Sequence, residues 1–348
     1  MRIAALTVLS LTVVSAASFA QPPRPTPPCD RACLEGFVDR YLDAMLANDV
    51  NPKLFARNAK FTENGIQLPL GNEGLWFGMS GKGTYKFYVP DVETQQVAFI
   101  GTVKENTQTR GANNNDGSLV AIGLRLKIVN GLITEVEQLA IRPETTLGGA
   151  RGGAAGRGAG AGAAGGGARG AGAAPAPAAA PTPSASGVGD RVEAMKEPHP
   201  IFKEVIPAAR RPSREELIET ANYYFTGLSR NDGKGYYPFT EDCERFENGV
   251  QMTKRNCKQQ FEQSLRGIVS RIRDRRFVAV DRERGIVFSF AFFDHEQLNW
   301  TWQLAELFKI ENGLIRRVEA VFHRAPYGIP SGWSTFEQAM SESIQSVR

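Results

Sequence analysis

Apolar positions recur at helical spacing twice in the chain, as Leu34, Phe37, Val38, Tyr41, Leu42 and Met45 and again as Leu217, Ala221, Tyr224, Phe225 and Leu228. Each set is the one-sided stripe of an amphipathic helix. Asp30 stands where it can cap the first helix, and Ser213 with Glu216 three residues on has capping-box spacing before the second. Asn48-Asp49 and Asn231-Asp232 form turns after the helices, and the period then shortens to two, the signature of strands. In the later half, strands are expected near 277–280, 286–293, 299–310 and 314–323, with Asp294-His295 as a turn. A tail over 328–348 carries Trp333 and Phe336 and is expected to close one domain or cover the other.

The two helix-then-strand runs are copies. Glu63-Asn64-Gly65-Ile66-Gln67 returns as Glu247-Asn248-Gly249-Val250-Gln251, an offset of 184; Gly131-Leu132-Ile133 with Val136-Glu137 returns as Gly313-Leu314-Ile315 with Val318-Glu319, an offset of 182. Between them, residues 147–189 are nearly all Gly, Ala, Pro and Ser, a composition that buries too little apolar surface to order itself. A disordered linker is therefore assigned to 146–200, between domains at 29–145 and 213–327. Its span of roughly 35 Å as a flexible coil lets the domains lie side by side. Helix first and strands last predicts an α+β fold: two cone-like domains, each an N-terminal helix packed on a curved antiparallel sheet.

Composition sharpens this picture. A net charge of +4 over 348 residues makes no electrostatic case for nucleic acid. Arg2, the apolar run from Ile3 to about Val14 and the ending Ser18-Phe19-Ala20 predict a signal peptide over 1–20, hence a periplasmic or secreted chain without a membrane anchor. In that setting Cys29, Cys33, Cys243 and Cys257 are expected in disulfides, and local pairing is the simplest of three connectivities. Three scattered histidines, His199, His295 and His323, argue against a zinc site, so no metal is expected. Arg266, Arg271, Arg273, Arg275 and Arg276 read as a solvated basic face. Nucleophile-elbow, Walker and dinucleotide motifs are absent, so no cofactor is implied.

The element order, the Tyr-x7-Asp helix endings (Tyr41 to Asp49, Tyr224 to Asp232) and an acidic residue about 22 positions after each tyrosine resemble the ketosteroid-isomerase-like superfamily. That superfamily is also called SnoaL-like or nuclear-transport-factor-2-like. The tandem arrangement resembles a secreted bacterial and fungal family of uncharacterised function. The resemblance implies a cone around a cavity, with Tyr41 and Tyr224 in the place of the catalytic tyrosine and Glu63 and Glu247 in that of the general base. Glu306 falls at the position of the superfamily's second acid; Leu124 stands there in the first copy. Members are enzymes, binding modules or assembly modules, and some dimerise through their sheets, so an intramolecular pseudo-dimer and a homodimer both remain open.

Residue chemistry points the same way. Glu306 interrupts the apolar row Trp300, Trp302, Leu304, Phe308 and Ile310, so its carboxyl is expected to be buried. A desolvated Glu247 could abstract a proton beside a carbonyl, with Tyr224 and a protonated Glu306 donating to the developing oxyanion. This is cofactor-free isomerisation, elimination, dehydration or cyclisation of a small apolar substrate, with Arg245, Asn248, Trp300, Trp302 and His323 as candidate contacts. The competing reading is a ligand-binding or assembly module. In it the tyrosines are core residues, the glutamates satisfy Asn-Gly turns, and Arg245, two residues before Glu247 on the same strand face, pairs with Glu306 and depresses its pKa.

Overall fold

The computed structural model describes residues 27–106, 117–143, 187–230, 232–253, 256–263 and 269–345. The expected signal peptide, Arg266 and the Gly/Ala-rich stretch 144–186 lie outside the described residues. The first half runs α1 (Arg31–Ala47), β1 (Phe55–Glu63), β2 (Ile66–Gln67), α2 (Leu75–Gly78), β3 (Met79–Asp91), β4 (Gln96–Glu105), β5 (Ser118–Val129) and β6 (Leu132–Ile141). After α3 (Val188–Ala194), the second half repeats it as α4 (Arg214–Arg230), β7 (Phe239–Glu247), β8 (Val250–Gln251), α5 (Cys257–Gln263), β9 (Arg271–Asp281), β10 (Ile286–His295), β11 (Trp300–Glu311) and β12 (Leu314–Pro326). The tail adds α6 (Phe336–Met340).

Helix starts follow the local chemistry. Asp30 accepts from the Cys33 N–H, and Ser213 and Glu216 bond each other's backbone reciprocally. The strand orders are β2-β1-β6-β5-β4-β3 and β8-β7-β12-β11-β10-β9, so the architecture is α+β with two equivalent six-stranded sheets. Each sheet departs from the wholly antiparallel expectation at one pair: β1 runs parallel to β6, and β7 to β12. The excursion through α2 or α5 carries the chain to the far sheet edge without reversing it, which side-chain alternation does not reveal.

Each sheet buries its own helix on one face. The other faces meet in a third apolar cluster, where Phe87, Ile100 and Leu139 of the first sheet join Phe288, Phe290 and Leu307 of the second. The linker assigned to 146–200 ends too late: Val188 and Val192 of α3 and Phe202 are buried in this cluster, Phe202 lying 4.6 Å from Phe87. Apolar residues scattered after the Ala/Pro run therefore belong to the fold. The domains also grip each other reciprocally. Arg31, first residue of α1, binds Asp281 at the end of β9 through two N–H donors, while Arg214, first residue of α4, binds Asp91 at the end of β3.

Two other expectations fail for one reason, coverage by distant segments. Asp294 and His295 continue β10 instead of turning, because Arg271, Arg273 and Thr301 hold the buried Asp294 carboxylate. The arginines of β9 are not a solvated face: Arg273, Arg275 and Arg276 are all buried. Arg273 also donates to the tail carbonyls of Ile329 and Ala339, and Arg276 reaches Glu137 of the first domain. Cys29–Cys33 and Cys243–Cys257 are disulfide-bonded, and among the described residues no helix is long and apolar enough to cross a membrane.

Candidate functional site

Register places the candidate groups of the second domain side by side. Phe308 on β11 pairs with Val318 on β12, which pairs with Arg245 on β7; one step along, Glu306 pairs with Ala320 and Ala320 with Glu247. Tyr224 comes down from α4 onto this corner with its ring 5.2 Å from that of Phe308. Arg245 connects the group. Its Nε donates to the Tyr224 hydroxyl at 3.1 Å, Nη1 to Gln260 Oε1 at 2.9 Å, and Nη2 to Glu247 Oε1.

Tyr224, Arg245 and Glu306 are buried, and Glu247 keeps 16% of its side chain exposed. Burial pushes the Glu306 carboxyl up to about 8; the charge of Glu247 adds to the rise, while Arg245 and the Tyr224 hydroxyl oppose it. Glu306 Oε2 is buried without a hydrogen-bond partner. Burial likewise raises the Tyr224 hydroxyl well above its usual value, so at neutral pH both groups are uncharged. The Arg245 guanidinium thus sits beside two neutral O–H groups, with Glu247 bonded to its other side.

The first domain keeps this layout with other residues. Phe61 and Leu124 occupy the register positions of Arg245 and Glu306, and Gln138 that of Ala320. Gln138 makes the bridge that Arg245 makes in the second domain: its Oε1 accepts from the Tyr41 hydroxyl at 2.8 Å and its Nε2 donates to Glu63 at 3.0 Å. Trp76 of α2 donates to Tyr41, while Glu63 also accepts from the Leu75 N–H and from Arg142. Tyr41 and Glu63 are thus tied into a closed, satisfied network.

The remaining candidates lie apart from the cluster. Asn248 does not face it: its carboxamide bonds both the N–H and the C=O of Phe322, as Asn64 does with Ala140. The glycine after each asparagine, at φ +81° for Gly65 and +77° for Gly249, lets a crossing segment approach: Pro330 of the tail at Gly65, Arg191 of α3 at Gly249. The Asn-Gly pair of the repeated motif is thus explained by register locking and domain crossing. The Trp300 ring lies tilted 5.2 Å from Trp302 and 3.9 Å from His295, Trp302 meets His295 edge-on at 4.4 Å, and Arg324 covers Trp300 at 4.8 Å. His323 has the opposite strand parity to Ala320 and bonds Gln303; burial and the nearby Arg142 lower it to about 4.

Sequence reasoning missed α5. Its Phe261 packs 4.9 Å from Tyr224 and under the Arg245 guanidinium at 5.2 Å, and its Gln260 binds Arg245. The expected Cys243–Cys257 pairing was the available signal, because it ties this segment to the strand two residues before Arg245. Among the described residues no cluster of three or more His, Cys, Asp or Glu could hold a metal ion.

The profile of a family described as "Domain of unknown function (DUF8021)" matches residues 210–322, the second domain. No curated protein matches the chain. Among solved structures, a crystal structure of a de novo designed protein with a curved β-sheet is similar at 16% identity and a TM-score of 0.25, over 32% of this chain and 88% of that one.

Proposed function

We propose that the second domain is an extracytoplasmic, cofactor-free proton-transfer site of the ketosteroid-isomerase-like kind, acting on a small apolar carbonyl compound, and that the first domain is its structural partner. One observation carries the reading: Arg245 and Glu306 stand where the first domain folds equally well with Phe61 and Leu124. The first copy keeps the same helix-and-sheet fold with apolar residues at both positions, so the fold itself does not require these charges. Glu247 serves as the base that takes a proton next to the carbonyl. Arg245, Tyr224 and the protonated Glu306 stabilise the oxygen that becomes negative. The disulfides and the N-terminal sequence favour a periplasmic or secreted location.

The test is exchange of protons α to the carbonyl in D2O, followed by NMR across a panel of small cyclic and open-chain ketones. The full chain should accelerate exchange for at least one member, Glu247→Gln should lose most of it, and the double variant R245F/E306L should remain folded and inactive. Acceleration that survives Glu247→Gln sinks the assignment of the base. A second reading, a ligand-binding or assembly module, is favoured by the rings of Phe225, Phe239, Phe261 and Phe308 packed around Tyr224. Saturable binding without exchange would establish it instead.

A further inference from the structure

With Tyr224, Arg245 and Glu306 buried, no substrate reaches the cluster unless one of its covers moves. Among the described residues three elements cover it. The sheet is held by continuous ladders, and α4 presents a 17-residue helix whose Leu217, Ala221, Tyr224, Phe225 and Leu228 are all in the core. The third, α5, has seven residues, of which Cys257 and Phe261 are buried. It meets the cluster through Phe261, on Tyr224 and Arg245, and through Gln260, on Arg245.

Its first residue is fixed differently from its far end. Cys257 is bonded to Cys243 on β7, so the start of α5 stays beside the strand that carries Arg245 and Glu247. Phe261, four residues on, is held by packing against Tyr224, Tyr237 and Phe239. The first domain differs at the equivalent place. Its cover α2 inserts Trp76, which bonds the Tyr41 hydroxyl and packs on Phe55, while the Leu75 N–H bonds Glu63. That cover is locked onto the tyrosine and the glutamate themselves; α5 reaches the cluster through Gln260 on Arg245, and Gln260 Nε2 also donates to the Met252 carbonyl at 2.8 Å.

We propose that α5 is the gate of the second-domain site, anchored by the Cys243–Cys257 disulfide and opened by withdrawal of Phe261 and Gln260 from Arg245. The proposal rests on the reading of the cluster as a substrate site, since a gate matters only where something enters. Opening leaves the Arg245–Glu247 pair in place at the mouth, where Glu247 is already partly exposed. Closing returns Phe261 over the cluster and excludes water, the condition under which neutral donors and a fixed charge act most strongly on a developing oxyanion.

The experiment is phenylglyoxal labelling of arginines in the full chain, with the rate at each site read by peptide mass mapping. Phe261→Ala should speed labelling of Arg245 at least tenfold while leaving Arg273, buried elsewhere in the same domain, unchanged. Arg245 labelled as slowly in the variant as in the wild type, or Arg245 and Arg273 accelerating together, overturns the gate. Should Phe261→Ala fail to fold, amide hydrogen exchange on the wild type decides: α5 amides that exchange at sub-denaturing urea independently of the β11 and β12 amides support a gate, and exchange only with global unfolding refutes it. Neither readout involves turnover. An open gate with no α-proton exchange would therefore fail the proposed chemistry and leave the gate standing.

Discussion

Glu306→Leu copies the first domain's Leu124 into the second domain and isolates the energetic consequence of the buried carboxyl. With the folded-state value near 8 and the unfolded value near 4.5, the unfolded chain releases this proton first as pH rises. Between those values the native state binds more protons than the unfolded one, so stability falls with pH, by about 1.4 kcal/mol per unit at the steepest. The contribution is fully present below pH 4.5, is lost progressively up to about 8, and amounts to about 5 kcal/mol in all. The assay is urea denaturation of wild type and Glu306→Leu at half-unit steps from pH 4.5 to 9. The variant should gain on the wild type steadily with pH and level off above 8. Parallel curves across that window would refute a neutral Glu306 at pH 7, and with it the donor role assigned to it.

Three further outcomes follow from the interlocked halves. Arg214→Ala leaves Asp91 buried without its cation and should cost about 2–3 kcal/mol, seen as a lower melting temperature in both domains at once; independent melting of the domains would contradict the reciprocal grip. Trp333→Ala removes the indole N–H bond to Thr62 and the stacking with Lys60 and Arg125, and should cost about 2 kcal/mol. A protease site placed between residues 150 and 180, once cut, should leave two fragments that co-elute, because ordered segments on both sides carry the contacts; separation at micromolar concentration would show that the covalent link is required.

The duplication, the helix faces, both caps and the disulfide pairs were legible in the residues because each rests on local spacing. So was the contrast of Glu306 with Leu124, since copies align position by position. Arg245 was expected to pair with Glu306, but its carboxylate partner is Glu247, and neither its bond to Tyr224 nor the matching bridge that Gln138 makes from a different strand in the first copy was visible. The Asn-Gly half of the repeat is construction: asparagine locks the last strand and glycine makes room for a segment from beyond it.

By itself the sequence determined two α+β domains of common origin, where each helix begins, and which carboxyl falls on an apolar face, all consequences of hydrophobic period and short-range hydrogen bonding. Only the tertiary structure decided that Arg273, Arg275 and Arg276 are buried, that residues 188–202 join the interdomain core, and that α5 closes over Tyr224 and Arg245. The physical reason is that burial and partner choice depend on segments brought together from as far as 250 residues apart, as with Arg31 and Asp281. Spacing along the chain records which face a side chain takes, and not what will come to cover it.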